Sequence, residues 1–185
     1  MAADRKSQSG FSMMEVIISL VILTVITRFA VLNINAIIPG MKTNEASAQV
    51  VDQFRKARQL AIAQRRAIAV AFVGTDHIDL VRQDVPAGTT VLRAIDLSNR
   101  VEFRRFEGVP DTPDGFGNAS DVDFGNAISV MFLTDGTLVD SLGQSVSGTV
   151  FLGLPNHPET ARAVTILGAT GRVRAYRWTG TAWIQ

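Results

Sequence analysis

The sequence predicts an α+β protein, with a long N-terminal α-helix packed on an antiparallel β-rich globular head. Three observations predict it. Residues 11–38 are almost unbroken in apolar character. Between Thr43 and Arg66 apolar residues recur at helical spacing, and from Ala67 onward the period shortens to two. A chain of 185 residues with 46% hydrophobic content suits one helix-anchored domain of modest size. The segments expected are a short basic leader at 1–10, a spanning helix at 11–38, an amphipathic helix at 39–66 and the head at 67–185.

The first helix has the length of a membrane span. Phe11 to Thr27 gives roughly 25 Å of helix, slightly short of a hydrocarbon core of roughly 30 Å. Continuing to Ile38 more than spans it, with Arg28 reaching toward the far interface. Arg5 and Lys6 precede the run, while Lys42, close to Glu45, follows it. The positive-inside rule then keeps the N-terminus cytoplasmic and sends everything after Pro39 out of the inner membrane. No cysteine occurs, so no disulfide and no cysteine-based metal site is expected there.

Pro39-Gly40 is expected to break or kink this helix as it leaves the membrane. Thr43 to Ala46 then offers a cap, and Val50, Phe54, Ala57 and Ala61 form one stripe. The other side carries Asp52, Arg55, Lys56, Arg58, Gln59, Arg65 and Arg66, and reads as a solvated face. Strands are expected at Ala67–Val73 and His77–Arg82 around the turn Gly74-Thr75-Asp76. Thr89–Asp96 and Arg100–Phe106 read as a further pair. A Gly/Asp/Pro-rich loop fills Glu107–Asn126. Four more strands follow at Ile128–Leu133, Thr149–Leu154, Ala163–Leu167 and Val173–Trp178. A helix followed by short antiparallel strands places that helix across one sheet face.

One residue is out of place in the apolar run. Glu15 stands near its head, and a lone carboxylate in a span costs roughly 2.5–3.5 kcal/mol on insertion scales. A conventional signal peptide would need a small-residue cleavage site close by, but Ala46-Ser47-Ala48 lies beyond Pro39-Gly40. An ordinary single-span anchor accounts for the hydrophobicity and not for the acid. The segment Gly10-Phe11-Ser12-Met13-Met14-Glu15 resembles the class III leader of type IV pilins and type II secretion pseudopilins. Further on, Val130-Met131-Phe132-Leu133-Thr134-Asp135-Gly136-Thr137, Ala163-Val164-Thr165-Ile166 and Gly171-Arg172-Val173-Arg174 resemble the GspH/FimT-type branch. Two features depart from the pattern: the apolar helix lacks a proline before Pro39, and it carries Arg28.

The resemblance implies cleavage after Gly10 by a prepilin peptidase and methylation of the new N-terminus at Phe11. It also implies that Glu15 serves assembly. A chemical reason is available for that role. Phe11 would carry a free α-amine one helical turn above Glu15, and a neighbouring subunit offset along the axis could set its amine against this carboxylate. An ion pair in low dielectric is far less costly than an isolated charge.

Catalytic chemistry is not expected. His77 and His157 lack metal-ligand spacing and read as surface residues. No Gly-x-Ser-x-Gly elbow or P-loop is present. Asp111, Asp114, Asp121 and Asp123 cluster in the long loop without EF-hand spacing, and read as solvated rather than calcium-binding. No cofactor and no metal is expected.

From Thr160 to Gln185 the sequence holds Arg162, Arg172, Arg174 and Arg177 and no acid. A strand there puts Arg172, Arg174, Tyr176 and Trp178 on one face. Such a face either covers its own sheet through cation–π and cross-strand contacts or holds phosphates and stacked bases. In FimT-like proteins a Gly-Arg-x-Arg motif is associated with DNA capture. The resemblance therefore marks Arg172 and Arg174 as candidate DNA contacts, and the chemistry of the neighbouring cation and ring adds Arg177 and Tyr176. The function expected is non-enzymatic: assembly into a type II secretion pseudopilus or a type IV pilus tip complex, with DNA uptake as the alternative. Implied partners are the peptidase, other pilins, an inner-membrane platform protein, an assembly ATPase, membrane lipid and, for the alternative, DNA. The protein is expected in the bacterial inner membrane as a single-pass subunit with a periplasmic head, and in the filament after assembly.

Overall fold

The computed structural model describes residues 11–125, 127 and 129–185, with the backbone alone for residues 29–36. The chain divides into two compact units, Met1–Ile38 and Pro39–Gln185. One helix, α1 (Met13–Gln64), contributes to both. The backbone stays helical through Pro39 and Gly40, against the expected break. A proline inside a helix removes one donor and costs about 3 kcal/mol. The turns beyond the proline are well secured: Thr43 Oγ1 donates to the Pro39 and Gly40 carbonyls at 3.3 and 3.2 Å. Ala46, Val50, Phe54, Ala57 and Ala61 are then fully buried at the spacing read from the sequence. The helix ends at Arg65, whose φ of 51° lets the Arg66 N–H reach back to the Ala61 carbonyl at 3.3 Å.

The head is α+β, with a helix on antiparallel strands. Eleven strands follow α1 among the described residues: β1 (Ile68–Val73), β2 (His77–Gln83), β3 (Thr89–Asp96), β4 (Glu102–Phe103), β5 (Val122–Asp123), β6 (Val130–Phe132), β7 (Leu138–Asp140), β8 (Gly148–Leu154), β9 (His157–Leu167), β10 (Arg172–Trp178) and β11 (Trp183–Ile184). They form two sheets. The first runs β3-β2-β1-β6-β7 and the second β11-β10-β9-β8-β4, with β5 also on β8.

The Pro39–Gln64 part of α1 buries its stripe against both sheets. Phe54 meets Phe72, Phe124 and Phe132 at ring-centroid distances of 6.1, 6.3 and 6.3 Å. Around it lie Ile68, Val70, Ile78 and Leu80 from the first sheet and Val150, Leu152, Val164 and Ile166 from the second. The second sheet is covered on its other face too. There Phe151, Ala163 and Tyr176 form a smaller cluster with Trp183. Burial on both sides is why β8 reads as a nearly continuous apolar run rather than an alternating one.

Pairing differs from expectation in one place. Thr89–Asp96 pairs with β2, while the expected partner, Arg100–Phe106, keeps only β4 as strand and joins β8 in the other sheet. A tight turn at Ser98–Arg100, with Asn99 and Arg100 at φ of 66° and 63°, redirects the chain between sheets. Three of the five shortest strands, β5, β7 and β11, were not expected, because segments of two or three residues carry no readable period of their own. Ile128, the expected start of a strand, lies outside the described residues; β6 begins at Val130.

Candidate functional site

Two regions carry the expected functional residues. The first is the start of α1. Gly10 and the leader, Arg5 and Lys6 included, lie outside the described residues. Phe11 is exposed, and the Ser12 carbonyl accepts from the Glu15 and Val16 N–H groups at 3.0 and 3.2 Å, opening the helix. Glu15 therefore sits in the first turn, where the helix dipole favours negative charge. No hydrogen bond or ion pair among the described residues engages its carboxylate.

Below Glu15 the helix is apolar all round. Val16, Ile17, Ile18, Leu20, Val21, Ile22, Leu23, Val25 and Ile26 are each about half exposed, so no one face is turned inward. The polar side chains between them satisfy themselves locally. Ser19, Thr24 and Thr27 donate to the carbonyls of Glu15, Leu20 and Leu23, each at 2.7 Å. Hydroxyls bonded in this way ask nothing of the surroundings, whereas a carboxylate does. Among the described residues no helix is long and apolar enough to cross a membrane.

The second region is the C-terminal part of the head. β10 pairs with β9 in the register Arg174↔Thr165, Tyr176↔Ala163 and Arg177↔Arg162. Arg174 and Tyr176 share the sheet face turned away from α1, as the period of two requires. They are not left to solvent there. The loop between β4 and β5 lies over this face and delivers Asp114, whose carboxylate accepts from Arg174 Nη1 at 2.6 Å, Thr165 Oγ1 at 2.6 Å and Tyr176 OH at 3.0 Å. Burial opposes ionisation of Asp114. The Thr165 and Tyr176 hydroxyls and the Arg174 charge outweigh it and hold the group below the usual carboxylate range. Burial pushes the Tyr176 phenol up, reinforced by Asp114. The same loop is tied down elsewhere: Trp183 Nε1 donates to the Pro110 carbonyl at 2.9 Å, and the Asp121 carboxylate accepts the Arg105 N–H at 2.7 Å.

The other loop acids serve the loop itself. Asp111 accepts the N–H groups of Thr112 and Gly117, and Asp123 those of Ala119 and Gly125. They are bonded to the backbone, whereas the sequence pointed to simple solvation. No group of acids and histidines suited to a metal ion occurs among the described residues.

The candidate arginines are thus separated. Arg172 is exposed at the turn entering β10. Gly171 ahead of it packs so closely that a Cβ would lie 2.5 Å from the Gly136 carbonyl oxygen, and Arg58 Nε donates to that same oxygen at 3.1 Å. This close approach gives the glycine of Gly-Arg-x-Arg a packing reason. Arg174 and Tyr176 belong to the Asp114 network. Arg177 is exposed on the opposite, helix-facing side, beside Arg162.

Arg162 is the residue that sequence reading undervalued. It is 4% exposed, and its guanidinium donates from Nε to Asn44 Oδ1 at 2.8 Å, from Nη1 to the Ala161 carbonyl at 2.8 Å and from Nη2 to the Gly40 carbonyl at 3.4 Å. Desolvation, with the neighbouring Arg177 charge, lowers its pKa to about 10. The only signal in the sequence was an arginine between apolar neighbours in a strand, which is weak on its own.

The comparisons with known proteins meet these two regions. The model of the prokaryotic N-terminal methylation motif matches residues 5–27. No curated protein sequence matches the chain. The structure is similar to two crystal structures of the type IV minor pilin FimU of Pseudomonas aeruginosa strain PAO1. Both are 17% identical and cover 77% of this chain. They are covered over 92% and 97% of their own lengths, with TM-scores of 0.51 and 0.50. The likeness to minor pilins and pseudopilins of the GspH/FimT type, read from the sequence, agrees with both findings.

Proposed function

We propose, for a chain that is type IV pilin-like in its methylation motif and in its fold, the working life of a minor pilin or pseudopilin. A prepilin peptidase cuts after Gly10 and methylates Phe11. Residues 11–38 then hold the subunit in the inner membrane as a single span, with the head in the periplasm. From there it is recruited into a filament, a type II secretion pseudopilus or the tip complex of a type IV pilus, by a platform protein and an assembly ATPase. The role is structural.

One observation carries this reading: Glu15, without a partner among the described residues, heads a helix whose apolar side chains face outward all round and whose hydroxyls are already satisfied. Such a helix needs lipid or other helices for its surface, and one polar contact to direct the assembly. The Phe11 α-amine of a neighbouring subunit fits that need. Mass spectrometry of protein from its native membrane tests the processing: the mature chain should begin at methylated Phe11, and Gly10→Val should block it. A mature chain that keeps its first ten residues would end this reading.

A second reading rests on Arg172 and Arg177, both exposed and in no ion pair among the described residues. They suit phosphates of DNA in an uptake pilus, with Arg174 and Tyr176 less accessible behind Asp114. Mobility shifts across a salt series test it. Affinity should fall with a log–log slope of roughly −0.7 to −0.9 per phosphate contact, and Arg172→Ala should reduce that slope. Absence of binding at low salt would dispose of it.

A further inference from the structure

Between α1 and the β9–β10–β11 end of the second sheet runs a groove of about 570 Å³. Its floor is apolar, formed in part by Ala48, Val51, Ala175 and Ile184, and Arg55, Arg162 and Arg177 stand along it. The acidic side chain that lines it, Asp52, pairs with Arg93, which does not line the groove, at 3.7 Å. No ion pair among the described residues involves Arg55, Arg162 or Arg177.

Arg162 makes this more than a basic surface. Its guanidinium is buried and meets only neutral oxygens, from Asn44, Ala161 and Gly40. Three of its five N–H groups are used, so one proton on each Nη atom remains to donate. A buried cation held by dipoles alone is costly, and an anion at its open side removes much of that cost. Arg177, opposite it in register, adds a second charge at the rim and raises the need for an anion.

We propose that this groove is a docking site for an acidic, partly apolar peptide segment of another protein chain, with a carboxylate seated against Arg162 and Arg177. A planar carboxylate matches the paired donors of a guanidinium. The apolar floor accepts the flanking side chains. A nucleic-acid strand fits less well. The groove offers no exposed aromatic ring for stacking, because Tyr176 is buried, and Asp52 would repel a continuous phosphate backbone. This site lies in the head and stands independently of the reading of Glu15.

The test is fluorescence anisotropy on the full-length chain in a neutral detergent, at low salt. The probe is a labelled decapeptide of alternating Glu and Val, compared with its Gln–Val counterpart and with oligothymidine. The Glu–Val peptide should bind at least about tenfold more tightly than Gln–Val, as expected for a charge-assisted contact. Arg177→Gln and Arg55→Gln, both at exposed positions, should each weaken it by about three- to tenfold. Arg100→Gln, at an exposed residue that does not line the groove, should leave it unchanged. Arg162→Met should abolish the preference for Glu if the variant folds; the two exposed variants decide the matter if it does not. Equal binding of the two peptides would overturn the proposal. So would equal weakening by Arg100→Gln and Arg177→Gln, or tighter binding of oligothymidine than of the acidic peptide.

Discussion

The two parts of α1 share a backbone conformation and differ in what they ask of their surroundings. From Val16 to Ile26 apolar side chains point outward on every side. From Thr43 to Ala61 they are gathered into one stripe, fully buried, with Asp52, Arg55 and Lys56 on the other side. The second pattern finds its apolar partner within the same chain. Among the described residues the first does not, and the charged side chain in its first turn, Glu15, is one that lipid penalises. On the function proposed above, stability and assembly fall to different stretches of one helix, and substitutions should separate them.

The largest separation is expected at Glu15. Glu15→Leu should leave the melting of the head unchanged, since Glu15 touches none of its core. It should nevertheless reduce incorporation into filaments by an order of magnitude or more, because one buried ion pair is worth several kcal/mol when a partner is removed. Quantifying the variant in sheared filament fractions against its membrane pool measures this. Incorporation equal to the parent would mean that the acid does not direct assembly.

Phe54→Ala is the converse. Phe54 is fully buried among three other phenylalanine rings, so its removal leaves a cavity that neighbours on two sheets cannot collapse into. The head should lose about 3–5 kcal/mol. Denaturant unfolding followed by circular dichroism reads the loss, while processing at Phe11 should proceed as before.

A smaller effect is expected on the outer face of the second sheet. Asp114→Asn removes the negative charge that gathers Arg174, Thr165 and Tyr176. Arg174 is partly exposed and recovers some hydration, so a loss of about 2 kcal/mol is expected. The wild-type contribution of Asp114 has a definite sign with pH. Its folded pKa lies below the unfolded one, so the contribution is complete above the ordinary carboxylate range and is lost as pH falls through the folded value. Asp114→Asn should therefore flatten acid denaturation as well as lower stability at neutral pH.

These sites differ in how far the sequence disclosed them. The helix stripe was legible because Val50, Phe54, Ala57 and Ala61 repeat at a period only a helix uses. The alternating strand β2 was legible through its own period of two. The division into two sheets was not, because pairing partners are chosen over long separations that no local period records. That is how Arg100–Phe106 left its expected neighbour for β8. The arginine face of β10 shows both sides of the matter. Its alternation was readable, but its counterion sits in a loop many residues earlier, where Asp114 was one acid among four. Arg162 was invisible as a buried charge for a similar reason, since its partners Gly40 and Asn44 belong to α1.

The smallest expected effect tests whether the hairpin of β2 and β3 adds to the stability of the head. His77, half-buried, lies between two carboxylates, with Nδ1 2.6 Å from Asp96 and Nε2 3.0 Å from Asp79. Hydrogen bonds to Asp96 and then to Asp79 raise its pKa above 6.5. A raised folded pKa means that the contribution is fully present below the unfolded value and is lost as pH rises through the folded one. The carboxylates with lowered pKa, Asp84, Asp135 and Glu159, titrate well below this window and do not obscure it. Between about pH 5.5 and 8.5 the melting temperature of the parent should therefore fall relative to that of His77→Gln, with the difference largest at the acid end. Parallel curves would show that the histidine leaves these carboxylates for solvent. The stability of the head would then owe no measurable share to this histidine–carboxylate cluster.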